Sequence, residues 1–335
     1  MKIQIAIICG ISLITSSVHA IDHSQHANHH DHTDYSPAGV MGSHTHPKGS
    51  VMFSYRYMRM QMEGMRDGSD DLTDAEVLQD FMVTPTRMSM QMHMFGAMYA
   101  PTDRLTIMAM MPWVKKDMDH ITRMGARFTT RTEGLGDIKL SGLFVLKNKG
   151  RQQIHLNAGI SLPTGDIDEK DDTPAMTNAQ LPYPMQLGSG SWDLLPCITY
   201  LGNNDAFSWG AQLMGTVRLN DNDNDYRLGN RLELTGWGSK KINATLSASL
   251  RLKGMAWGEI EGKDPKLNPM MVPTADTSLQ GGERIDVLAG INFHSSGGST
   301  GHRLAIEVGA PVYENLDGPQ MSTGWMLTAG WQYAM

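Results

Sequence analysis

Residues 152–162 read Gln-Gln-Ile-His-Leu-Asn-Ala-Gly-Ile-Ser-Leu, so that Ile154, Leu156, Ala158, Ile160 and Leu162 alternate with Gln153, His155, Asn157, Gly159 and Ser161. An apolar residue at every second position is the period of a β-strand with one greasy and one polar face. The same pattern recurs in Ile138, Leu140, Phe144 and Leu146 against Asp137, Lys139 and Ser141. It recurs again in Ile242, Ala244, Leu246, Ala248, Leu250 and Leu252 against Asn243, Thr245, Ser247, Ser249, Arg251 and Lys253. Extended along the chain, it predicts strands near 50–63, 83–98, 104–117, 135–147, 151–163, 191–202, 206–220, 224–238, 241–257, 283–295, 301–311 and 322–335.

The connections between these segments separate a soluble β protein from a membrane barrel. Tight turns (Pro101 to Asp103, Asn148 to Gly150, Gly202 to Asp205, Gly238 to Lys240, Ser295 to Gly301) alternate with longer loops (64–82, 118–134, 164–190, 258–282, 312–321). Only the loop at Asp221 to Asp225 is a short member of the second set. Outer-membrane barrels of bacteria carry short periplasmic turns and long external loops in this way, and their strands span the hydrocarbon in about 9–11 residues. A β-sandwich or β-solenoid also alternates, but runs this long and clean fit a tilted spanning strand better. The expected fold is therefore all-β: a transmembrane antiparallel β-barrel of about 12 strands over residues 50–335. An even strand number puts both termini in the periplasm. Trp325, Leu327, Ala329, Trp331, Tyr333 and Met335 then form the outer face of the last strand, which ends in methionine rather than the usual aromatic residue.

Composition agrees. The chain has 335 residues, 40% hydrophobic and 19% charged, a net charge of −7 and a mean hydropathy of −0.31. No mature segment approaches the run of about 20 apolar residues that a membrane helix needs, and no basic excess recruits nucleic acid. Residues 1–20 read as a secretory signal, with Lys2 before the apolar run Ile3 to Ile14 and Val18-His19-Ala20 as the cleavage site. Cys9 follows Ile8, which argues against a lipid anchor, and it leaves with the signal. Cys197 then stands alone, which excludes a disulfide within the chain and Cys-rich metal sites.

Between signal and barrel, residues 21–49 are too polar to build a core and are expected to form a disordered periplasmic tail. This tail holds His23, His26, His29, His30, His32, His44 and His46, interleaved with Asp22, Asp31 and Asp34, a donor set suited to Cu(II), Zn or Ni.

Seventeen of the 27 methionines fall between Met41 and Met124. With Val51, Phe53, Tyr55 and Tyr57 facing lipid, Met58, Met60 and Met62 face the lumen. With Leu105, Ile107, Met111 and Trp113 facing lipid, Met108 and Met110 face inward. On the strand between, His93 and Gln91 cost more against hydrocarbon than methionine does. That places His93 inside and Met88, Met90, Met92 and Met94 on the lipid side. Beyond them Met118 and His120 share one side of an extended segment, near Met124. Soft thioethers beside imidazole select Cu(I) or Ag(I) over hard cations, although methionine is also a flexible apolar filler. The remaining lumen is expected to carry Arg227, Arg231, Glu233, Arg251, Lys253, Arg284, Asp286, Arg303 and Glu307, opposite charges that satisfy one another or form a selecting constriction.

Enzymatic patterns are weak. Gly297-Gly298-Ser299-Thr300-Gly301 matches a hydrolase elbow only in letters, since it lies in a turn between strands. Asp221, Asp223 and Asp225 lack the glycine and distal glutamate of a calcium hand.

Gly134-Leu135-Gly136-Asp137 opening a strand, Ser161-Leu162-Pro163-Thr164-Gly165-Asp166 closing one, Tyr183-Pro184-Met185-Gln186-Leu187-Gly188-Ser189-Gly190 leading into Trp192-Asp193, and a late Gly318-Pro319 add a further sign. In this order they resemble the outer-membrane barrels grouped as transporters of the phenol-degradation meta-pathway type. The resemblance covers most of residues 50–335 and implies passage of small, often aromatic, compounds. The Met- and His-rich N-terminal third departs from that family and is similar in kind to copper-resistance outer-membrane proteins. The sequence thus predicts an outer-membrane channel with no obligatory cofactor, in contact with outer-membrane lipid and a small solute. Copper is the favoured ligand or cargo. An organic-solute channel and a non-conducting metal-sequestering barrel are the alternatives.

Overall fold

A computed structural model describes residues 35–295 and 301–335. The signal segment, His23, His26, His29, His30, His32 and residues 297–300 of the glycine-serine turn lie outside the described residues.

Eleven strand elements form the wall: β1 (Val51–Gly68), β2 (Val83–Thr102), β3 (Leu105–Thr122), β4 (Lys139–Lys149), β5 (Gln152–Ser161), β6 (Asp193–Asn203), β7 (Phe207–Arg218), β8 (Arg231–Lys241), β9 (Leu246–Trp257), β10 (Gly282–His294) and β11 (Gly301–Ala334). Each pairs antiparallel with its sequence neighbour, and β11 pairs back onto β1. Among the described residues each of these eleven elements has a paired neighbour on both sides, as a bilayer requires of a sheet. In β11, Arg303 opposes His294 and Leu316 opposes Gly282, after which Leu316 also opposes Gly68 and Ala334 opposes Met52. Because every pairing is antiparallel, β11 rises along β10 and descends along β1. Arg303 accordingly donates to Gln332 across the reversal (2.9 Å), and the His302 ring lies 4.6 Å from that of Tyr333. The chain therefore crosses the wall twelve times, as the period-two segments predict.

The descending pass beside β3 is broken. Arg127–Leu135 pairs with the outer half of β3 (Ile121↔Arg127 to Trp113↔Leu135), and β4 pairs with its other half (Leu105↔Phe144 to Met110↔Lys139). The outward side of the wall exposes Ile107, Met111, Leu140, Phe144, Leu156, Ile198, Leu213, Leu234, Leu250, Ile291 and Ile306. A soluble surface does not carry so continuous an apolar band. On β3 this band runs from Leu105 to Trp113, close to the span of one tilted strand. Past Trp113 the same outer face turns charged: Lys115 pairs with Glu133 (3.4 Å), Arg131 with Asp117 (3.1 Å) and Arg87 with Asp119 (2.8 Å). The outer thirds of β1, β2 and β3 thus project beyond the bilayer.

Tyr35 to His46, expected within a loose tail, is instead seated inside the barrel, and the exposed Lys48 bonds Asp103 of the turn. The backbone of the seated segment is bonded to inward side chains from around the wall. Ser239 Oγ donates to the Tyr35 carbonyl (2.7 Å), Arg303 to that of Ser36, Arg56 Nε to that of Ala38 (3.1 Å) and Gln212 Nε2 to that of Met41 (3.0 Å). His155 Nε2 meets the Gly42 carbonyl (2.9 Å), while Glu307 accepts the Gly39 amide and Thr106 the His46 amide, both at 3.0 Å. Low hydrophobic content is what a polar lumen asks of a segment that fills it, since its buried amides and carbonyls need partners.

Candidate functional site

Methionine dominates one side of the lumen. Directly opposed residues of an antiparallel pair point to the same face. Across β1 and β2, Met58 opposes Met92, Met60 opposes Met90, Met62 opposes Met88 and Met52 opposes Met98. Across β2 and β3, Met88 opposes Met118 and Met98 opposes Met108. Met326 of β11 opposes Met60 from the other side. Two buried clusters result. The first joins Met52, Met94, Met98, Met108 and Met110 with Leu143, and Met41 and Met92 pack onto it. The second joins Met88 and Met118 with Leu181 and Met185 of the 162–192 loop, flanked by Met62 and Met321.

The expected phase of β2 is therefore reversed. Met88, Met90, Met92 and Met94 face the lumen, and His93 and Gln91 face outward. Tyr55 Oη lies 2.7 Å from His93 Nδ1, and Tyr57 Oη donates to Gln91 (3.1 Å). His93 opposes Trp113, the residue at which the outer face turns from apolar to charged. In hydrocarbon His93 would be costly, but it sits at the polar boundary among aromatic hydroxyls, where the cost is small. Phe95 and Tyr99, both outward and half exposed, stand in the same phase and were the available signal.

The other expected donors are placed as follows. Met58, Met60, Met62, Met108, Met110 and Met118 lie on the inner face. His120 is buried and stacks on Phe128 (4.7 Å between ring centroids). Met124 is 93% exposed at a hairpin tip. His44 and His46 lie inside the barrel with their rings 4.8 Å apart. Among the described residues, no three His, Cys, Asp or Glu side chains come together as a metal-binding group. The donors that converge are thioethers. Met41, Met52, Met98, Met185, Met321 and Met326 belong to this set and were not anticipated from strand phase.

The opposite side of the lumen is charged and self-paired. Arg251 and Glu307 form a two-pronged pair (2.9 and 2.8 Å), and Asp286 receives Lys253 (3.0 Å) and Arg284 (2.9 Å). Arg303 is held by Gln332 and Asn292, and Arg231 reaches Glu233 (3.3 Å). Arg227 is not in the lumen. The strand expected from residue 224 begins at Arg231, and Arg227 instead sits in a two-residue loop ladder with Glu261–Gly262, paired to Glu261 and Asp221.

Three of the four short motifs meet at one corner of the mouth, while Gly318 lies apart from them in β11, against Leu279. Asp137 accepts the Gly165 amide (3.0 Å) and both the amide and hydroxyl of Ser189 (2.8 and 2.9 Å). Thr164 donates to the Gly136 carbonyl (2.8 Å), and Asp166 receives the Leu187 amide (2.9 Å). Gly165 and Gly188 touch backbone to backbone, so closely that a Cβ on Gly165 would fall 2.6 Å from the Gly188 Cα. This knot folds residues 166–188 across the mouth and delivers Met185 to the outer methionine cluster.

A closed antiparallel wall, apolar outside and lined inside by methionine, ion pairs and an inserted segment, defines a transmembrane β-barrel. Residues 79–266, more than half of the chain, match the family described as "Putative MetA-pathway of phenol degradation", and the chain belongs to that family. The fold is shared with the outer membrane channel from Pseudomonas putida F1 (13% identity, 88% of this chain and 99% of that one, TM-score 0.61). Looser likenesses are the KdgM porin (10% identity, 84% and 98% covered, TM-score 0.40) and a FadL homologue of Pseudomonas aeruginosa (11% identity, 85% and 89% covered, TM-score 0.36). No curated protein matches the sequence.

Proposed function

We propose that the protein is a channel of the bacterial outer membrane, both termini periplasmic, and that the solute it passes is a soft monovalent metal ion, Cu(I) foremost. The observation that carries this is the inner methionine face of β1, β2, β3 and β11, which continues from Met52 and Met98 near the turn end to Met62, Met88 and Met118 near the mouth. Thioethers bind Cu(I) and Ag(I) while offering little to Na⁺, Mg²⁺ or Ca²⁺. Neighbouring sites of modest affinity allow exchange from one to the next, the condition for binding that still permits release. The histidines at 23, 26, 29, 30 and 32 would collect metal on the periplasmic side. No step of bond-making is needed, and the reading is not enzymatic.

A second reading rests on the family's own description: a thioether wall is also apolar and polarizable, and it suits small aromatic compounds. A barrel that binds metal without conducting it is a third. Silver uptake by proteoliposomes separates them. Ag⁺ entry that phenol does not inhibit supports the metal channel. Phenol entry without Ag⁺ entry supports the second reading, and bound silver without entry the third.

A further inference from the structure

The inserted segment and the methionine face meet at one small cavity, which His44, Met52, Met98, Met108 and Met110 line together with Arg56, Ser54 and Gln332. We infer that this cavity is a discrete soft-metal site, with His44 and the four thioethers as its donors, and that a metal bound there fastens the inserted segment to the wall. This rests on the soft-metal reading above and assigns the site at which it would be regulated.

The residues are brought together by the fold rather than by sequence proximity. Met52 opposes Met98, and Met98 opposes Met108, so three thioethers stand in one row across β1, β2 and β3. Met110 lies one inward position along, opposite Gly96. A side chain at Gly96 would collide with Ser54 Oγ at 2.4 Å, so glycine keeps this patch of wall open. The imidazole arrives from the inserted segment. Gly42 adopts φ +59°, a left-handed turn that glycine makes without strain, and a Cβ there would approach the Met108 terminal methyl at 3.4 Å. The turn thus brings His44 into the lining of the same cavity, with Nδ1 3.1 Å from Ser43 Oγ and its ring against that of His46.

The charge around the cavity sets the valence. Arg56 is the charged side chain in the lining, and its Nε donates to the Ala38 carbonyl (3.1 Å). Repulsion from a fixed guanidinium is twice as large for a divalent as for a monovalent ion. Sulfur donors and a positive neighbour both favour Cu(I) and Ag(I) over Cu(II) and Zn.

The test is Cu(I) binding to the full-length protein in detergent, by competition with a chromophoric Cu(I) chelator, together with X-ray absorption of the loaded protein. Four proteins are compared: wild type, His44→Gln, the Met52→Leu/Met98→Leu/Met108→Leu/Met110→Leu variant, and Met111→Leu, on the outer face of the same wall, as a control. Leucine conserves volume, and heat-modifiable gel migration checks that each barrel is closed. The expected result is one tight Cu(I), mostly sulfur-coordinated with one nitrogen, weakened about tenfold or more in the first two variants and unchanged in the control. Protection of the 35–48 segment from protease should rise with Cu(I) in wild type and not in His44→Gln. Equal Cu(I) affinity and coordination in all four proteins would overturn the site, whatever silver uptake shows. Silver uptake that persists with no Cu(I) held by His44 leaves the channel reading standing and this one refuted.

Discussion

Glu307 grips Arg251 with both carboxylate oxygens and, through Oε2, also accepts the amide of Gly39, so a single buried carboxylate ties the β9–β11 wall to the inserted segment. Both side chains are almost fully enclosed. Removing one member of such a pair leaves the other charge buried and alone, which costs about 3–5 kcal/mol. Glu307→Ala is therefore expected to lower the temperature of the heat-modifiable transition in detergent and to release Gly39. Glu307→Gln, which can still accept the amide, should lose less. Equal transition temperatures for wild type and Glu307→Ala would show that the pair does not hold the wall.

Deleting residues 35–46 removes the segment bonded to Arg56, His155, Gln212, Ser239, Arg303 and Glu307 without removing a wall strand. Single-channel conductance for KCl in planar bilayers is expected to rise several-fold over wild type. Unchanged conductance would mean that this segment does not limit the path.

How much of this was legible in the sequence follows from what period two does and does not encode. The apolar alternation of Ile154 to Leu162 and Leu246 to Leu252 specifies which side meets lipid, because a polar outer residue there would be expensive along the whole membrane thickness. The wall and its twelve crossings follow from it. On β2 the rule fails, since both phases carry apolar or aromatic residues and the strand outruns the bilayer. Gln91 and His93 lie where charge is already tolerated, so their polarity says nothing of inside or outside. Tyr35 to His46 misled for a related reason: a segment satisfied by wall side chains has the same low hydrophobicity as one satisfied by water. The pairing of Arg251 with Glu307 follows from strand adjacency. The meeting of His44 with Met52 and Met98 depends on where the inserted segment turns, which no local pattern records.

Asp137 holds the motif knot through Gly165 and Ser189. Asp137→Ala strands the amides of Gly165 and Ser189, while the Ser189 hydroxyl keeps the Ser191 carbonyl within reach (3.2 Å), so residues 166–188 should become a site of limited proteolysis while the wall stays intact by gel migration. An uncut loop would place the restraint elsewhere, for instance in the bond from Thr132 Oγ1 to the Met185 carbonyl (2.9 Å).

In the same loop layer, Lys266 donates to Asp168 (2.6 Å) and Asn224 adds a second bond (3.1 Å). These hold the Asp168 carboxyl below the usual carboxylate range, the Lys266 bond foremost. A depressed carboxylate contributes stability that is present above its unfolded value, near about pH 4, and lost as pH falls through the lower folded value. Loop protection from hydrogen exchange is expected to be flat at neutral pH and to fall in strong acid. Asp168→Asn should show the acid level of protection throughout. A wild-type loop that loosens near neutral pH would contradict the assignment.

If the inner methionine face carries the ion, silver uptake by proteoliposomes depends on its thioethers. Purified protein is compared with a variant carrying leucine for Met58, Met60, Met90 and Met92, the face that the reversed phase of β2 creates. Ag⁺ entry is expected through wild type and a clear loss of it in the variant, with equal KCl conductance in both. Equal Ag⁺ entry through the two proteins would contradict it and leave the methionines as packing.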